Sequence, residues 1–419
     1  KLLGTLTGKE IKKLILGGVE IDSEIEKIIN QKAVTAKTDT NQENLIGLFE
    51  LGLEQIPIID ETGTIKDIAF CPSIVNMKKF PTVRGRAPLR ISFSGGGTDL
   101  PYFFEKYGGI VLSAAIDKYC YATITKRADR KVVIDSDLTS ETDVSVNSLE
   151  NLKYDGKFDL IKAVIKLMNP DFGFELFLHN DVPPGRGLGS SASAAVMVIS
   201  LLNHLQETNY DSYKIAELAF KAEREELKIK GGWQDQYAAV TGGFNFMEFN
   251  GDKTIIYPLR LKDEVINELN HHLLLCYVGK GHESGEIHKV QEENFIKKQE
   301  DSVLLLNSMK KIAAEMKDAL LTNKLDIFGK LLHDSWENKK ILSPAVTNNF
   351  IDKLYEVGLN NGADGGKLLG AGSGGYLLFF FNPKKRNQLT RALQKSGGEF
   401  MNFGFDLRGA QVWTVKNRI

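Results

Sequence analysis

The chain has 419 residues, enough for two or three domains, and its 42% hydrophobic and 26% charged content is ordinary for globular protein. A formal net charge of −1 leaves no electrostatic footprint for nucleic acid or an anionic membrane surface, and the apolar runs fall far short of a membrane span. Three scattered cysteines, Cys71, Cys120 and Cys276, have no disulfide-framework or metal spacing, so they read as reduced thiols in a cytoplasmic protein.

The sequence begins at Lys1 without a signal-peptide pattern, so the numbered chain is open to being a fragment. Residues 41–51 are predicted helical. A strand, Ile56-Pro-Ile-Ile-Asp60, then runs into the turn Glu61-Thr-Gly-Thr64, and a second strand covers 65–70. This order resembles a CBS repeat. Residues 1–16, with Gly4-Thr-Leu-Thr-Gly-Lys-Glu10, resemble the end of a preceding, incomplete repeat. In that family the closing Thr and acidic residue contact a nucleotide ribose. The resemblance therefore implies Thr7 and Glu10 here, with Glu where Asp is usual. The corresponding end of the second repeat, 68–71, lacks the pattern. Region 1–72 thus reads as a structural or regulatory module, with adenine-nucleotide binding left open, and 73–83 as a linker.

Three glycine clusters follow. The first is Ser94-Gly95-Gly96-Gly97-Thr98-Asp99. The second, Pro183-Pro184-Gly185-Arg186-Gly187-Leu188-Gly189-Ser190-Ser191-Ala192, lies between a strand-like run at 174–178 and a small-residue helix at 192–205. Glycines let backbone approach an anion closely, and the following helix start offers free N–H groups and a positive dipole end. The stretch looks built for a polyphosphate. The third cluster, Gly370-Ala371-Gly372-Ser373-Gly374-Gly375, follows a helical stretch at 349–359 and precedes the apolar run 376–381. That context is wrong for a dinucleotide fingerprint. The chain lacks G-x-x-x-x-G-K-[ST] and the His-Arg-Asp kinase loop, so it is neither a P-loop protein nor a protein kinase. Alternating β-rich and helical segments argue for mixed α and β layers.

Taken together, Arg90-Ile-Ser-Phe-Ser-Gly-Gly-Gly-Thr-Asp99, the segment 183–192 and Lys367-Leu-Leu-Gly-Ala-Gly-Ser-Gly-Gly375 resemble the GHMP kinases. Within them, Arg86-Ala-Pro-Leu-Arg-Ile-Ser-Phe-Ser-Gly-Gly-Gly-Thr-Asp-Leu100, Glu105-Lys-Tyr-Gly-Gly109 and Gly231-Gly-Trp-Gln-Asp-Gln-Tyr237 are similar to the D-glycero-D-manno-heptose 7-phosphate kinases. Those enzymes phosphorylate the anomeric hydroxyl of a seven-carbon sugar phosphate with ATP. The resemblance implies an α+β, two-lobed GHMP kinase fold behind the small α/β CBS-like module. Its N-terminal domain would span 84–258 and its C-terminal domain 259–419, with ATP and acceptor meeting between them.

The same resemblance assigns roles. Asp235 would be the catalytic base and Arg90 the cation beside the transferring phosphate. Pro184, Gly185, Gly187, Leu188, Gly189, Ser190 and Ser191 would hold ATP. Ser191 and Glu223 would hold Mg²⁺, a small set that suits an ion sharing its shell with phosphates; Glu225 is the alternative to Glu223. Gly96, Gly97, Thr98, Asp99, Gly372, Ser373 and Gly374 would bind the sugar phosphate. Galactokinases carry Glu and His before Thr-Asp, where this chain has Gly96 and Gly97, which enlarges the pocket for a larger or phosphorylated sugar. Lys280 and Ser284, in Gly279-Lys-Gly-His-Glu-Ser284, either meet a distal phosphate at a helix start or form a solvent loop. The seven histidines show no metal-ligand pattern. A fucose- or galactose-type anomeric kinase, or a non-catalytic sugar and ATP sensor, are the alternatives. Homo-oligomerisation stays open.

Overall fold

The computed structural model describes residues 1–6, 11, 14–17, 23–30, 32–40, 42–49, 53, 55–70, 81–137, 144–251, 253–281, 284–297 and 299–415. It divides into two units, Lys1–Pro81 with Lys126–Asp129, and Thr82–Thr125 with Arg130–Ile419.

In the first unit, β1 (Ala36–Lys37), β2 (Gln55–Ile59) and β3 (Ile65–Phe70) form a sheet in the order β1-β2-β3. β1 runs parallel to β2, and β2 antiparallel to β3. The turn between β2 and β3 is set by Asp60, whose Oδ1 accepts from the backbone N–H groups of Thr62 (2.9 Å) and Thr64 (3.0 Å). Helix α1 (Gln42–Phe49) supplies Phe49 to a small core with Ala36 and Ile56. Thr7, Glu10 and Cys71 lie outside the described residues, as does most of the expected linker.

The second unit opens with a long antiparallel pair, β4 (Thr82–Ser94) and β5 (Gly109–Lys126), running from Thr82↔Thr125 to Ser94↔Leu112 with register shifts at Pro88/Leu89 and Ser92/Ser94. Helix α2 (Pro101–Tyr107) joins them, with Pro101 at its first position, where no N–H is needed. β6 (Val132–Ser136), β7 (Val144–Val146), β8 (Phe174–Asn180), β9 (Phe244–Asn250) and β10 (Lys253–Pro258) extend the sheet in the order β10-β9-β5-β8-β6-β7. β8 alternates buried Phe174, Leu176 and Leu178 with exposed Glu175 and Phe177, as a strand covered on one face should. Helix α3 (Asp159–Met168) carries the chain to β8, which lies parallel to β6. The covering face also holds α4 (Ser190–Gln206), α5 (Ser212–Lys221) and α6 (Gln234–Thr241).

Helix α7 (Asp263–His272) leads into a second, four-stranded sheet. It comprises β11 (Leu273–Tyr277), β12 (Ala363–Leu368), β13 (Tyr376–Phe381) and β14 (Glu399–Met401), in the order β12-β13-β11-β14. β13 is buried at every position, which explains its unbroken apolar run. Helices α8 (Ser284–Lys297), α9 (Gln299–Leu321) and α10 (Phe328–Leu342) come between β11 and β12 in the chain. The two sheets share an apolar core: Phe93 of β4 meets Phe328 of α10 edge-on at 5.3 Å and stacks near Phe244 of β9 at 6.4 Å. The last strand, β15 (Gln411–Thr414), returns to the first sheet and pairs with β4 from Gln411↔Arg86 to Thr414↔Val83. Among the described residues no helix is long and apolar enough to cross a membrane.

Candidate active site

The site is organised by one arginine. Arg90 lies on β4 and is 5% exposed. Its Nε donates to Asp235 Oδ1 at 2.7 Å and its Nη2 to Asp235 Oδ2 at 2.8 Å. This forked pairing is among the stronger hydrogen-bond geometries. Nη1 donates to the Gly187 carbonyl at 2.7 Å, and the Arg90 backbone N–H donates to Leu188. Asp235 sits in the first turn of α6, where the helix dipole favours a carboxylate. A single side chain thus ties together the first motif, the second motif and the Gly231–Asp235 segment.

The second motif is a loop of alternating left-handed glycines: Gly185, Gly187 and Gly189 have φ of 78°, 79° and 77°. The third motif lies directly on it. A Cβ at Gly187 would stand 2.6 Å from the Leu369 carbonyl oxygen, and one at Gly375 2.4 Å from that of Arg186. Only bare backbone fits on both sides. α4 starts at Ser190 without a side-chain cap, so its first N–H groups have no acceptor from that source. Ser190 Oγ is also buried without a partner. Leu188 is fully buried and anchors the loop in the core between the sheets. Pro184 is exposed.

Ser191 Oγ donates to Glu223 Oε1 at 2.9 Å. Glu223 comes from one turn of π-helix, Ala222–Glu226, a distortion frequent at functional sites. It is 4% exposed, and its other oxygen accepts from Gln236 Nε2 at 3.1 Å and pairs with Arg224 Nη2 at 3.2 Å. Glu225, on the same turn, is exposed. A hydroxyl and a carboxylate so close form a hard-oxygen pair that fits Mg²⁺ shared with phosphates. No cluster of three or more acidic, His or Cys ligands exists among the described residues to offer a protein-only cage.

Asp99 is 2% exposed. Its oxygens accept from the Gly97 N–H (3.0 Å), the Gln234 N–H (3.2 Å) and Gln234 Nε2 (3.1 Å). Burial raises its pKa; the Gly97 bond opposes this and the charge of Asp235 adds to it. Gly232 makes room for it, since a Cβ there would lie 1.9 Å from Asp99 Oδ2. Gly96 and Gly97 line the cleft beside it. Thr98 turns inward instead: its Oγ1 accepts from the Ile110 N–H, and its one O–H faces the carbonyls of Gly95 (2.7 Å) and Ile110 (2.9 Å).

From the third motif, Gly372 and Gly374 line the same cleft. Ser373, at φ 64°, is held by Val346, whose carbonyl accepts from its N–H at 2.7 Å, and does not line it. Lys280 is exposed and does not line the cleft; its neighbour Gly281 packs against the Gly374 backbone. Ser284 begins α8, and its side chain lies outside the described residues.

The cleft, about 1140 Å³ including its open mouth, is also lined by residues that sequence reasoning missed: Arg186, Arg224, His288, Gln291, Lys339 and Lys367. Its lining holds five basic side chains (Arg90, Arg186, Arg224, Lys339, Lys367) against three carboxylates (Asp99, Glu223, Asp235), a balance that favours an anionic ligand. Burial, then the charge of Arg90, holds Lys339 down at about 8. Lys367 falls well below the ordinary lysine range through burial, then Lys339 and Arg90. Burial pushes His288 down to about 4, a neutral imidazole bonded to Gln291. Lys367 heads the third motif, and a cation entering a glycine loop was a usable signal. Lys339 stands beside Lys340 on an amphipathic helix and gave none.

Residues 159–243 match the family described as GHMP kinases N terminal domain, and 316–399 match that described as GHMP kinases C terminal. The chain is 37% identical over 340 residues to the D-glycero-alpha-D-manno-heptose 7-phosphate kinase of Campylobacter jejuni, covering 80% of this chain and 99% of that one. Among solved structures, a D-glycero-D-manno-heptose 1-phosphate kinase from Bacteroides thetaiotaomicron is 30% identical with a TM-score of 0.67, covering 80% of this chain and 100% of that one. The galactokinase of Lactococcus lactis with galactose shares the fold at 20% identity and a TM-score of 0.66, covering 79% and 95%.

Proposed function

The chain belongs to the GHMP kinases, and from that premise we propose that it moves the terminal phosphoryl group of ATP to the anomeric hydroxyl of a heptose 7-phosphate, giving a heptose 1,7-bisphosphate. The observation that carries the chemistry is Asp235, clamped by Nε and Nη2 of Arg90 while Nη1 holds the Gly187 loop. The sugar assignment is supported by the heptose phosphate kinases of Campylobacter and Bacteroides. We assign the nucleotide to the region around residues 184–191 and the sugar phosphate to that around 96–99 and 372–374. The lobe boundary falls at 258/259.

Phosphoryl transfer depends on positioning and on stabilising charge. In this reading the Gly185–Ser191 loop and the start of α4 hold the ATP phosphates. Asp99 accepts hydrogen bonds from sugar hydroxyls and fixes the acceptor. Asp235 takes the anomeric proton as the oxygen attacks, while Arg90, forked onto that carboxylate, orients it and faces the phosphoryl group. Ser191 and Glu223 would hold Mg²⁺, which supplies charge neutralisation for the phosphates when bound.

A coupled assay for ADP release over D-glycero-D-manno-heptose 7-phosphate, sedoheptulose 7-phosphate, fucose and galactose tests the reading. The mannoheptose phosphate should give the highest kcat/KM. A preference for fucose or galactose would move the assignment to an unphosphorylated sugar, and ADP release with none of the four would end it.

A further inference from the structure

Two lysines in the cleft have no role in the chemistry above. Lys339 projects from α10 and Lys367 from β12, and both line the cleft beside Arg90. They are 7% and 3% exposed. Each ammonium donates to one backbone carbonyl: Lys339 Nζ to Gly370 at 2.5 Å, and Lys367 Nζ to Phe93 at 3.0 Å. Neither forms an ion pair with a carboxylate among the described residues. An ammonium has three donors, so most of their donor capacity is unspent.

Buried cations are ordinarily paired. Here burial first, and then neighbouring positive charge, lowers the protonation of both lysines: Arg90 acts on Lys339, and Lys339 and Arg90 act on Lys367. The nearby carboxylates are already engaged: Asp235 is forked onto Arg90, and Asp99 accepts from Gly97 and Gln234. The cluster is complete only with an anion from outside. Its position says which one. Gly370, which accepts from Lys339, abuts Gly187, and Gly187 accepts from Arg90. The charge of Asp99, on the acceptor side, acts on Lys339 as well. Lys339 thus stands beside the phosphate loop, and Lys367, bonded to Phe93 on β4, lines the same cleft as Asp99.

Resting on the kinase reading above, we propose that Lys339 and Lys367 are catalytic residues that, with Arg90, grip the peripheral oxygens of the phosphoryl group as it is transferred. In that step the acceptor oxygen forms a bond to the γ-phosphorus. The bond from phosphorus to the β–γ bridging oxygen breaks, and its electron pair leaves on ADP. The hydroxyl proton passes to Asp235. The lysines exchange no proton; they oppose the charge on the three outer oxygens.

Lys339→Met and Lys367→Met remove the charge at nearly constant length. Each should lower kcat by roughly 100-fold or more, the scale for losing one such donor, and leave KM for the heptose 7-phosphate within about threefold. By calorimetry, each should bind the ADP–aluminium fluoride–sugar complex at least tenfold more weakly while retaining affinity for ATP alone. A loss confined to KM for the 7-phosphate, and absent with unphosphorylated heptose, would show that the lysines hold the sugar's own phosphate and would overturn the proposal. So would near-normal kcat in both variants. If the Met variants do not fold, wild-type protein carrying ¹⁵N-lysine serves: the Nζ signals of Lys339 and Lys367 should shift when fluoroaluminate joins ADP and sugar, and unmoved signals overturn the grip. Failure of the kinase reading is separate, since it shows as absent turnover in wild type.

Discussion

The proposed roles fall on different side chains of the cleft, so single substitutions should separate them. Asp235→Asn keeps the shape but cannot accept a proton, and it leaves the Arg90 charge uncompensated. We expect at least a roughly 100-fold fall in kcat with ATP affinity retained, read by steady-state kinetics and nucleotide titration. Near-normal turnover would remove Asp235 from the base role. Ser191→Ala should weaken the Mg²⁺ dependence of turnover more than sugar binding; if the metal titration matches wild type, the hydroxyl only supports the helix start. Lys339 adds a pH signature. In the unfolded chain its ammonium persists to the ordinary lysine range, but in the fold only to about 8. The burial cost is therefore full below pH 8 and fades as pH rises from 8 towards 10.5, where stability gains because the unfolded chain binds more protons. Lys339→Met should thus be more stable than wild type near pH 7, by roughly 1–3 kcal/mol, with the gap closing towards pH 10. Urea titrations at both pH values decide this, and a gap that widens with pH contradicts it. The meeting of Arg90 and Asp235 was legible through the resemblance to the GHMP kinases, whose motifs put both residues beside the transferring phosphate. Lys339 was not, because whether a lysine on an amphipathic helix is buried depends on what packs over it.

At the scale of elements, the strand expected at 174–178 appears as Phe174–Asn180 and the helix expected at 192–205 as Ser190–Gln206. The helix begins two residues early because Gly189, at φ 77°, takes the sharp turn by itself and frees both serines to be helical. The π turn that delivers Glu223 carries no sequence signal, since it differs from an α turn only in hydrogen-bond register. Neither does the stacking of one glycine loop on another, which joins segments far apart in the chain. That stacking predicts the behaviour of Gly187→Ala. The added methyl would sit 2.6 Å from the Leu369 carbonyl at a φ of 79° that alanine disfavours. We expect a stability loss of roughly 1–3 kcal/mol together with weaker ATP binding. Calorimetric melting with and without ATP checks both; an unchanged melt would mean the loops are not in contact.

For the whole molecule, the large unit holds its own cores and all of the cleft. The Campylobacter relative is matched over 99% of its length by 80% of this chain. A protein of residues 82–419 should therefore keep kcat within about threefold of the full chain, as expected for a separable domain. Loss of soluble, active protein on that truncation would show that the first unit is required.

The return of β15 to β4 gives the kinase unit a seam made of its two ends. Gln411 lies opposite Arg86, 325 positions away, and Val415 donates to the Thr82 carbonyl at 2.8 Å. During synthesis, at about 5–20 residues per second, the opening stretch of β4 waits roughly 15–65 s for its partner to be made. For that time it presents bare N–H and C=O groups to any passing strand. The nascent chain is thus most prone to mispairing through its earliest kinase strand until β15 emerges. The finished unit, with its ends side by side, is a natural ring: joining 415 to 82 through a short linker and opening the chain at an exposed loop should give a permuted kinase that is never left with that edge unpaired.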